Sequence, residues 1–209
     1  MIRLAIVGDI GAGKSHVAKL FGFPVFNADK EVAKLYRKSR KCHKKLKKIL
    51  PNYITSFPVK KNELSKAIID ERENLKKIVK VVHPEVRNKM NNFIKKNKNK
   101  KYIVLDIPLL IENKLNKKND ILIFVDAKKK EINRRLKQKY KGNLNIIKKL
   151  KKFQLPVEFK KKKSDFIVKN NFKNNFVKKN VKRVLNKILS NAWSYIRYRN
   201  NGIINGRKS

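Results

Sequence analysis

Residues 2–21, IRLAIVGDIGAGKSHVAKLF, constrain this chain more than any other stretch. An apolar run, Leu4-Ala5-Ile6-Val7, leads into Gly8-Asp9-Ile10-Gly11-Ala12-Gly13-Lys14-Ser15. A helix-period pattern follows at Val17, Ala18, Leu20 and Phe21. Strand, glycine loop and helix in that order, with the spacing G-x-x-x-x-G-K-[ST], describe a P-loop. Glycines let backbone N–H groups crowd around an anion with no Cβ in the way. The helix N-terminus adds its partial positive charge. In such a loop Lys14 reaches the β- and γ-phosphates and the Ser15 hydroxyl faces Mg²⁺. A chance glycine turn would lack the buried-type strand before it and the helix after it. Gly11, Ala12, Gly13, Lys14, Ser15 and His16 are therefore the predicted phosphate cradle.

The rest of the chain alternates in the same style. Val25 to Asp29 reads as a short second strand that ends in an acid. Residues 30–96 carry helical spacing, first at Val32, Leu35 and Tyr36, then from Leu64 to Val82, and again from Val86 to Ile94. His83-Pro84 marks a break, with Pro84 at a first helical position. Residues 51–58 are a loop. Tyr102 to Ile107 and Ile121 to Asp126 are near-continuous apolar runs, the pattern of parallel strands buried on both faces. Phe166-Ile167-Val168 is a last short strand, and Val177, Val181, Val184, Leu185 and Ile188 form one helical stripe. Alternating strands and helices predict a three-layer α/β/α fold with a five-stranded parallel sheet. Right-handed crossovers then bring the P-loop, Asp29 and Asp106 to one edge of it. The predicted organisation is a nucleotide-binding core (1–29, 97–137 and 165–190), a helical insertion (30–96), a lysine-rich segment (138–164) and a frayed basic tail (191–209).

Composition sets limits on function. The 209 residues are 41% hydrophobic, enough for a real core. One cysteine, Cys42, leaves no internal disulfide and fits a reducing compartment. No apolar run approaches a membrane span and no signal-peptide pattern opens the chain, so the predicted home is the cytoplasm. The net charge is +42, from 57 Lys+Arg against 15 Asp+Glu. A nucleic-acid surface is one reading of it. The lysines are spread through nearly every segment, however, and Asn and Ile are also abundant. AT-rich codons explain all three residues, and arginine would serve better for forked phosphate or base contacts. The charge is read as compositional, with no specific nucleic-acid partner.

GDIGAGKS, NADK, HPEVR, DIPLLIEN, the VDA strand end and Gln154 before SDFIVKN follow one another in an order that resembles the dephospho-CoA kinase family. The likeness covers roughly residues 2 to 190. It implies a P-loop kinase fold with an acceptor-binding insertion at 30–96 and a lid at 138–164. It also implies transfer of phosphate from ATP to the ribose 3′-hydroxyl of dephospho-CoA, with Mg²⁺, in a monomer or weak homo-oligomer. By the same resemblance Asp29 handles the acceptor hydroxyl, with Lys14 as its catalytic partner on the phosphate side. His83, Arg87, Leu109, Glu112 and Asn113 lie at the acceptor pocket, and Asn170 near the adenine. Lys139 and Lys160 stand where the family's lid favours arginine, and lysine offers charge without a fork. Asn27 replaces the first acid of a D-A-D motif, and His16 replaces the threonine usual after Ser15. Asp106 holds Mg²⁺ with Ser15, or is a plain turn residue; position alone supports both. For Asp29 the bland alternative is a helix N-cap. A nucleoside or sugar kinase would keep Lys14, Ser15 and Asp29 without needing HPEVR or PLLIEN. A basic nucleic-acid-binding P-loop protein would explain the charge directly.

Overall fold

The computed structural model describes residues 1–140, 147, 148 and 151–190. Five strands form one sheet: β1 (Ile2–Gly8), β2 (Val25–Asn27), β3 (Tyr102–Asp106), β4 (Ile121–Ala127) and β5 (Phe166–Asn170). Their order is β2-β3-β1-β4-β5 and every pairing is parallel. The apolar runs form strands because both faces of the sheet are covered, so successive side chains have a core on either side. Leu4, Ile6, Val104, Ile121 and Ile123 enter one core cluster. Ala5, Val7, Ile103, Leu105, Leu122 and Phe124 enter the other.

The first face is covered by α1 (Lys14–Leu20), α6 (Lys129–Lys139) and α8 (Asn174–Ser190), through Val17, Ile132, Leu136, Val177, Val181, Val184 and Ile188. These include the periodic residues of the predicted helical stripe. A short helix, α7 (Val157–Lys162), precedes β5.

The insertion has a core of its own. α2 (Ala28–Lys38), α3 (Arg40–Ile49), α4 (Lys61–Asp70) and the first half of α5 (Arg72–Lys96) gather Leu35, Cys42, Leu46, Ile54, Leu64, Ala67, Ile78 and Val82. The expected break at His83-Pro84 is absent, since α5 runs unbroken through Pro84. Proline removes one helical donor, here toward the Lys80 carbonyl. Packing on both sides outweighs that loss. Ile78 and Val82 belong to the insertion core, while Met90, with Val86, Phe93 and Ile94 packed around it, belongs to the sheet. One helix thus ties the insertion to the sheet.

Asp29 also departs from expectation. β2 stops at Asn27, whose Oδ1 accepts from the Lys30 N–H at 2.7 Å and caps α2. Asp29 is therefore in the first turn of α2, neither in the strand nor the cap. The register puts Ile6, Asp106 and Asn27 in one row across the sheet. The carboxyl ends of β1, β2 and β3 thereby converge below the P-loop. The lysine-rich segment falls partly, and the tail wholly, outside the described residues. Among the described residues no helix is long and apolar enough to cross a membrane.

Candidate active site

The loop between β1 and α1 takes the conformation its glycines allow. Gly11 and Gly13 sit at φ 81° and 86°, in the left-handed region where a side chain is strained. Ala12 is fully buried in the sheet-face core, so this P-loop residue is also a packing anchor. Lys14 is nearly buried and folds back along the loop. Its Nζ donates to the Asp9 carbonyl at 2.8 Å and to the Gly8 carbonyl at 3.2 Å. Burial pushes its pKa down, and the nearby Asp106 charge works against that.

Asp106, 2% exposed, ends β3 and faces the loop. It accepts a hydrogen bond from the Asn27 amide, and the same amide nitrogen lies 3.2 Å from Ser15 Oγ. Burial raises the pKa of Asp106, while the Ser15 hydroxyl and Lys14 favour its charged form. Asp106 thus lines the larger cavity beside the loop residues. Ser15 Oγ and an Asp106 oxygen share one donor, so two hard oxygen ligands face the same space. A hydroxyl and a carboxylate suit Mg²⁺, which keeps most of its shell for water and phosphate oxygens. Among the described residues no cluster of three or more His, Cys, Asp or Glu offers a complete cage.

Two cavities meet here. The larger, about 800 Å³, is lined by the loop (Gly11, Gly13, Lys14, Ser15, His16), by Asp106, and by Arg135, Gln138 and Lys139 of α6. The smaller, about 180 Å³, is lined by His83, Val86, Arg87 and Met90 of α5, and by Leu109 and Asn113 after β3. Asp29, Pro108 and Leu109 line both. His83 is half-buried, and burial followed by the Arg87 charge lowers its pKa, so it is neutral at pH 7. Asn113 donates to the Leu109 carbonyl at 2.8 Å, fixing the turn that separates the two cavities.

Three predicted residues lie elsewhere. Lys160, expected on a mobile lid over the phosphates, is 1% exposed on α7. It pairs with Glu112 at 3.4 Å, behind the P-loop. Glu112, expected in the acceptor pocket, lines neither cavity and also accepts from the Leu155 N–H at 3.1 Å. Asn170, expected near the adenine, is buried and donates to the Ala12 carbonyl at 2.8 Å, so it braces the loop from behind. In each case a short-range motif could not reveal a long-range partner.

Sequence reasoning also passed over Arg135. Its guanidinium lies 4.5 Å from the centre of the Phe172 ring, and it supplies the forked cation that the lysine-rich segment lacks. Its neighbour Arg134 instead pairs with Glu131 at 2.9 Å. The signal was present: Arg135, Gln138 and Lys139 share a helical face, as do Leu75 and Val79, which line the large cavity from α5.

Comparison with known proteins adds the family. The sequence model of the dephospho-CoA kinase family matches residues 2–175. A dephospho-CoA kinase from Wolbachia sp. subsp. Brugia malayi is 36% identical over 172 residues, 79% of this chain and 87% of that protein. A crystal structure from Thermus thermophilus superposes with a TM-score of 0.69 at 26% identity, covering 90% of this chain and 96% of that one. The dephospho-CoA kinase of Campylobacter jejuni gives 0.59 at 23% identity, covering 90% and 98%, and supports the fold. A P-loop whose glycines, lysine and serine line a cleft of about 800 Å³, with a second cavity opening beside Asp29, sits in a chain that belongs to the dephospho-CoA kinase family of phosphotransferases.

Proposed function

We propose that this site transfers the γ-phosphoryl group of ATP to the ribose 3′-hydroxyl of 3′-dephospho-CoA, giving coenzyme A and ADP. The observation that carries this reading is the place of Asp29, on the wall common to the phosphate cavity and the acceptor cavity. A general base must lie within hydrogen-bond reach of the hydroxyl it serves, next to the phosphoryl group that hydroxyl attacks. Asp29 is exposed to both spaces and is held in the first turn of α2 by the Asn27 cap.

The division of labour follows from the geometry. Backbone N–H groups of the loop and the start of α1 bind the phosphates. Lys14 leaves its carbonyl partners for the β- and γ-oxygens. Ser15 and Asp106 would hold Mg²⁺, which would neutralise charge on those oxygens when bound. Arg135 and Lys139 face the nucleotide from α6. Arg87 pairs with phosphates of the acceptor, while His83, neutral at pH 7, offers a hydrogen bond rather than a charge. The transfer is in-line and needs no covalent intermediate, so positioning and electrostatics carry it.

The partners are thus ATP and dephospho-CoA. One chain supplies the residues that line both cavities. The buried free thiol of Cys42 fits the reducing cytoplasm.

A coupled ADP-release assay with ATP and Mg²⁺ tests the reading, with dephospho-CoA, adenosine and shikimate as separate acceptors. Release that depends on dephospho-CoA supports it. Turnover with adenosine or shikimate alone would keep a P-loop kinase and discard this acceptor.

A further inference from the structure

Two ammonium groups converge on one carbonyl behind the P-loop. Gly8 O, at the end of β1, lies 3.2 Å from Lys14 Nζ and 3.5 Å from Lys160 Nζ. Lys160 arrives from α7, more than 150 residues further along the chain, and is 1% exposed. A lysine buried to that degree carries a large desolvation cost unless its charge is matched. Glu112 matches it at 3.4 Å, itself nearly buried. The Ser164 hydroxyl donates to the Lys160 carbonyl at 2.8 Å and steadies the end of α7. Glu112 is fixed in turn by the Leu155 N–H, and the adjacent Gln154 accepts from the Ile10 N–H of the loop at 3.1 Å. Nothing in the reaction as described above uses Lys160, which does not line the phosphate cavity.

We infer that Lys160 is a positioning residue for Lys14: it holds the Gly8 carbonyl when Lys14 leaves for the phosphates. In the arrangement seen here the Lys14 ammonium donates to Gly8 O and Asp9 O. Nucleotide binding moves that ammonium to the β-phosphate and takes a cation away from Gly8 O. Lys160 remains, already within reach. It also raises the energy of the arrangement with Lys14 on Gly8 O, because two like charges share one acceptor there. Glu112 makes the device possible by pairing with Lys160 in the interior. Both effects favour the nucleotide-bound position of Lys14, and both act only through Lys14.

This inference rests on the reading of the P-loop as the nucleotide site, but not on the identity of the acceptor. The test is therefore ADP binding with Mg²⁺, measured by isothermal titration without any acceptor. Glu112→Gln with Lys160→Met replaces the ion pair by neutral groups of similar shape, a change that buried pairs frequently tolerate. The double variant is expected to bind ADP about tenfold more weakly than the parent, within the range for leaving a buried acceptor short of its donor. The same two changes in a Lys14→Met background are expected to alter affinity by less than about twofold, because the group they act through is gone. Lys160→Gln, which keeps an N–H donor and the native Glu112, is expected to lose no more than about threefold. An equal loss in the presence and absence of Lys14 would mean a merely structural role and overturn the inference. So would unchanged affinity in the double variant, or a Lys160→Gln loss as large as that of the neutral pair. If the neutral pair does not fold, Lys160→Met alone, which removes the donor to Gly8 O, decides the matter by the same comparison with and without Lys14. A parent protein that binds no ADP would instead overturn the nucleotide-site reading itself.

Discussion

Gly13→Ala tests whether the loop is braced from behind as the contacts require. Gly13 has φ 86° and ψ 24°, and a Cβ placed there would lie 2.4 Å from Asn170 Nδ2. Asn170 cannot yield cheaply. It is 3% exposed, its Nδ2 donates to Ala12 O at 2.8 Å, and its Oδ1 accepts from the Phe172 N–H at 2.8 Å. Alanine in the left-handed region costs roughly 1 kcal/mol. Each hydrogen bond broken as Asn170 moves adds about 1 kcal/mol. The stiffer unfolded chain returns up to about 1 kcal/mol. The net destabilisation is about 2–3 kcal/mol, read from urea unfolding of parent and variant at equal denaturant slope. The cause is separable from backbone strain. In an Asn170→Ala background the clash is gone, so Gly13→Ala should cost only about 1 kcal/mol there. The two single effects should therefore overshoot the double variant by about 1–2 kcal/mol. Simple additivity would refute the clash and leave Asn170 without a bracing role.

Other expectations follow from single contacts. Asn27→Asp keeps the α2 cap, since aspartate caps as well as asparagine, but sets a second carboxylate against Asp106. Its melting temperature should be lower than the parent's in EDTA and should rise with added Mg²⁺, whereas the parent should change little in the same thermal scan. Arg135→Met should weaken nucleotide binding about tenfold, and Arg135→Lys about half as much on a log scale, since lysine keeps charge but loses the planar stack on Phe172. An unchanged dissociation constant for either variant would remove Arg135 from the site. Glu63 caps α4: burial opposes its charge, but hydrogen bonds from Thr55, Ser56 and the Lys60 N–H hold its carboxyl at about 2. A depressed carboxylate stabilises fully above its unfolded value of 4.5 and loses that contribution as pH falls toward 2. Glu63→Gln should therefore flatten the acid limb of stability between those values. An acid limb identical to the parent's would rule that contribution out.

The sheet was legible because its strands carry the pattern of burial themselves. Four or five consecutive apolar residues, as in Tyr102 to Leu105 and Ile121 to Val125, leave little choice but a parallel strand with helices on both faces. The P-loop was legible because its chemistry needs glycine at fixed spacing. The helical insertion was legible as helix but not in its joints. Pro84 looks like a start when only propensity is weighed, and Val82 and Met90, each gripped by a different core, override it. What the chain hid was the far side of the loop. A lysine in KKKK looks the same in sequence whether it is solvated or buried, and Lys160 is set apart by Gly8 O and by Glu112, 48 positions away. Asn170 was read by its likeness to an adenine-side asparagine, and its partner, Ala12 O, is a backbone atom that no side-chain motif records.

The most direct test of the account is the position of the transferred phosphate and its dependence on Asp29. Parent protein and Asp29→Asn should be incubated with ATP, Mg²⁺ and dephospho-CoA, with the products followed by phosphorus NMR. The account predicts that the parent builds a new phosphomonoester on the ribose 3′-oxygen. In Asp29→Asn that signal should appear about 10²–10⁴-fold more slowly, with ADP affinity within about twofold of the parent because Asp29 makes no phosphate contact in this reading. A phosphomonoester elsewhere on the acceptor, or a 3′-phosphate formed at the parent's rate without the Asp29 carboxylate, would contradict it.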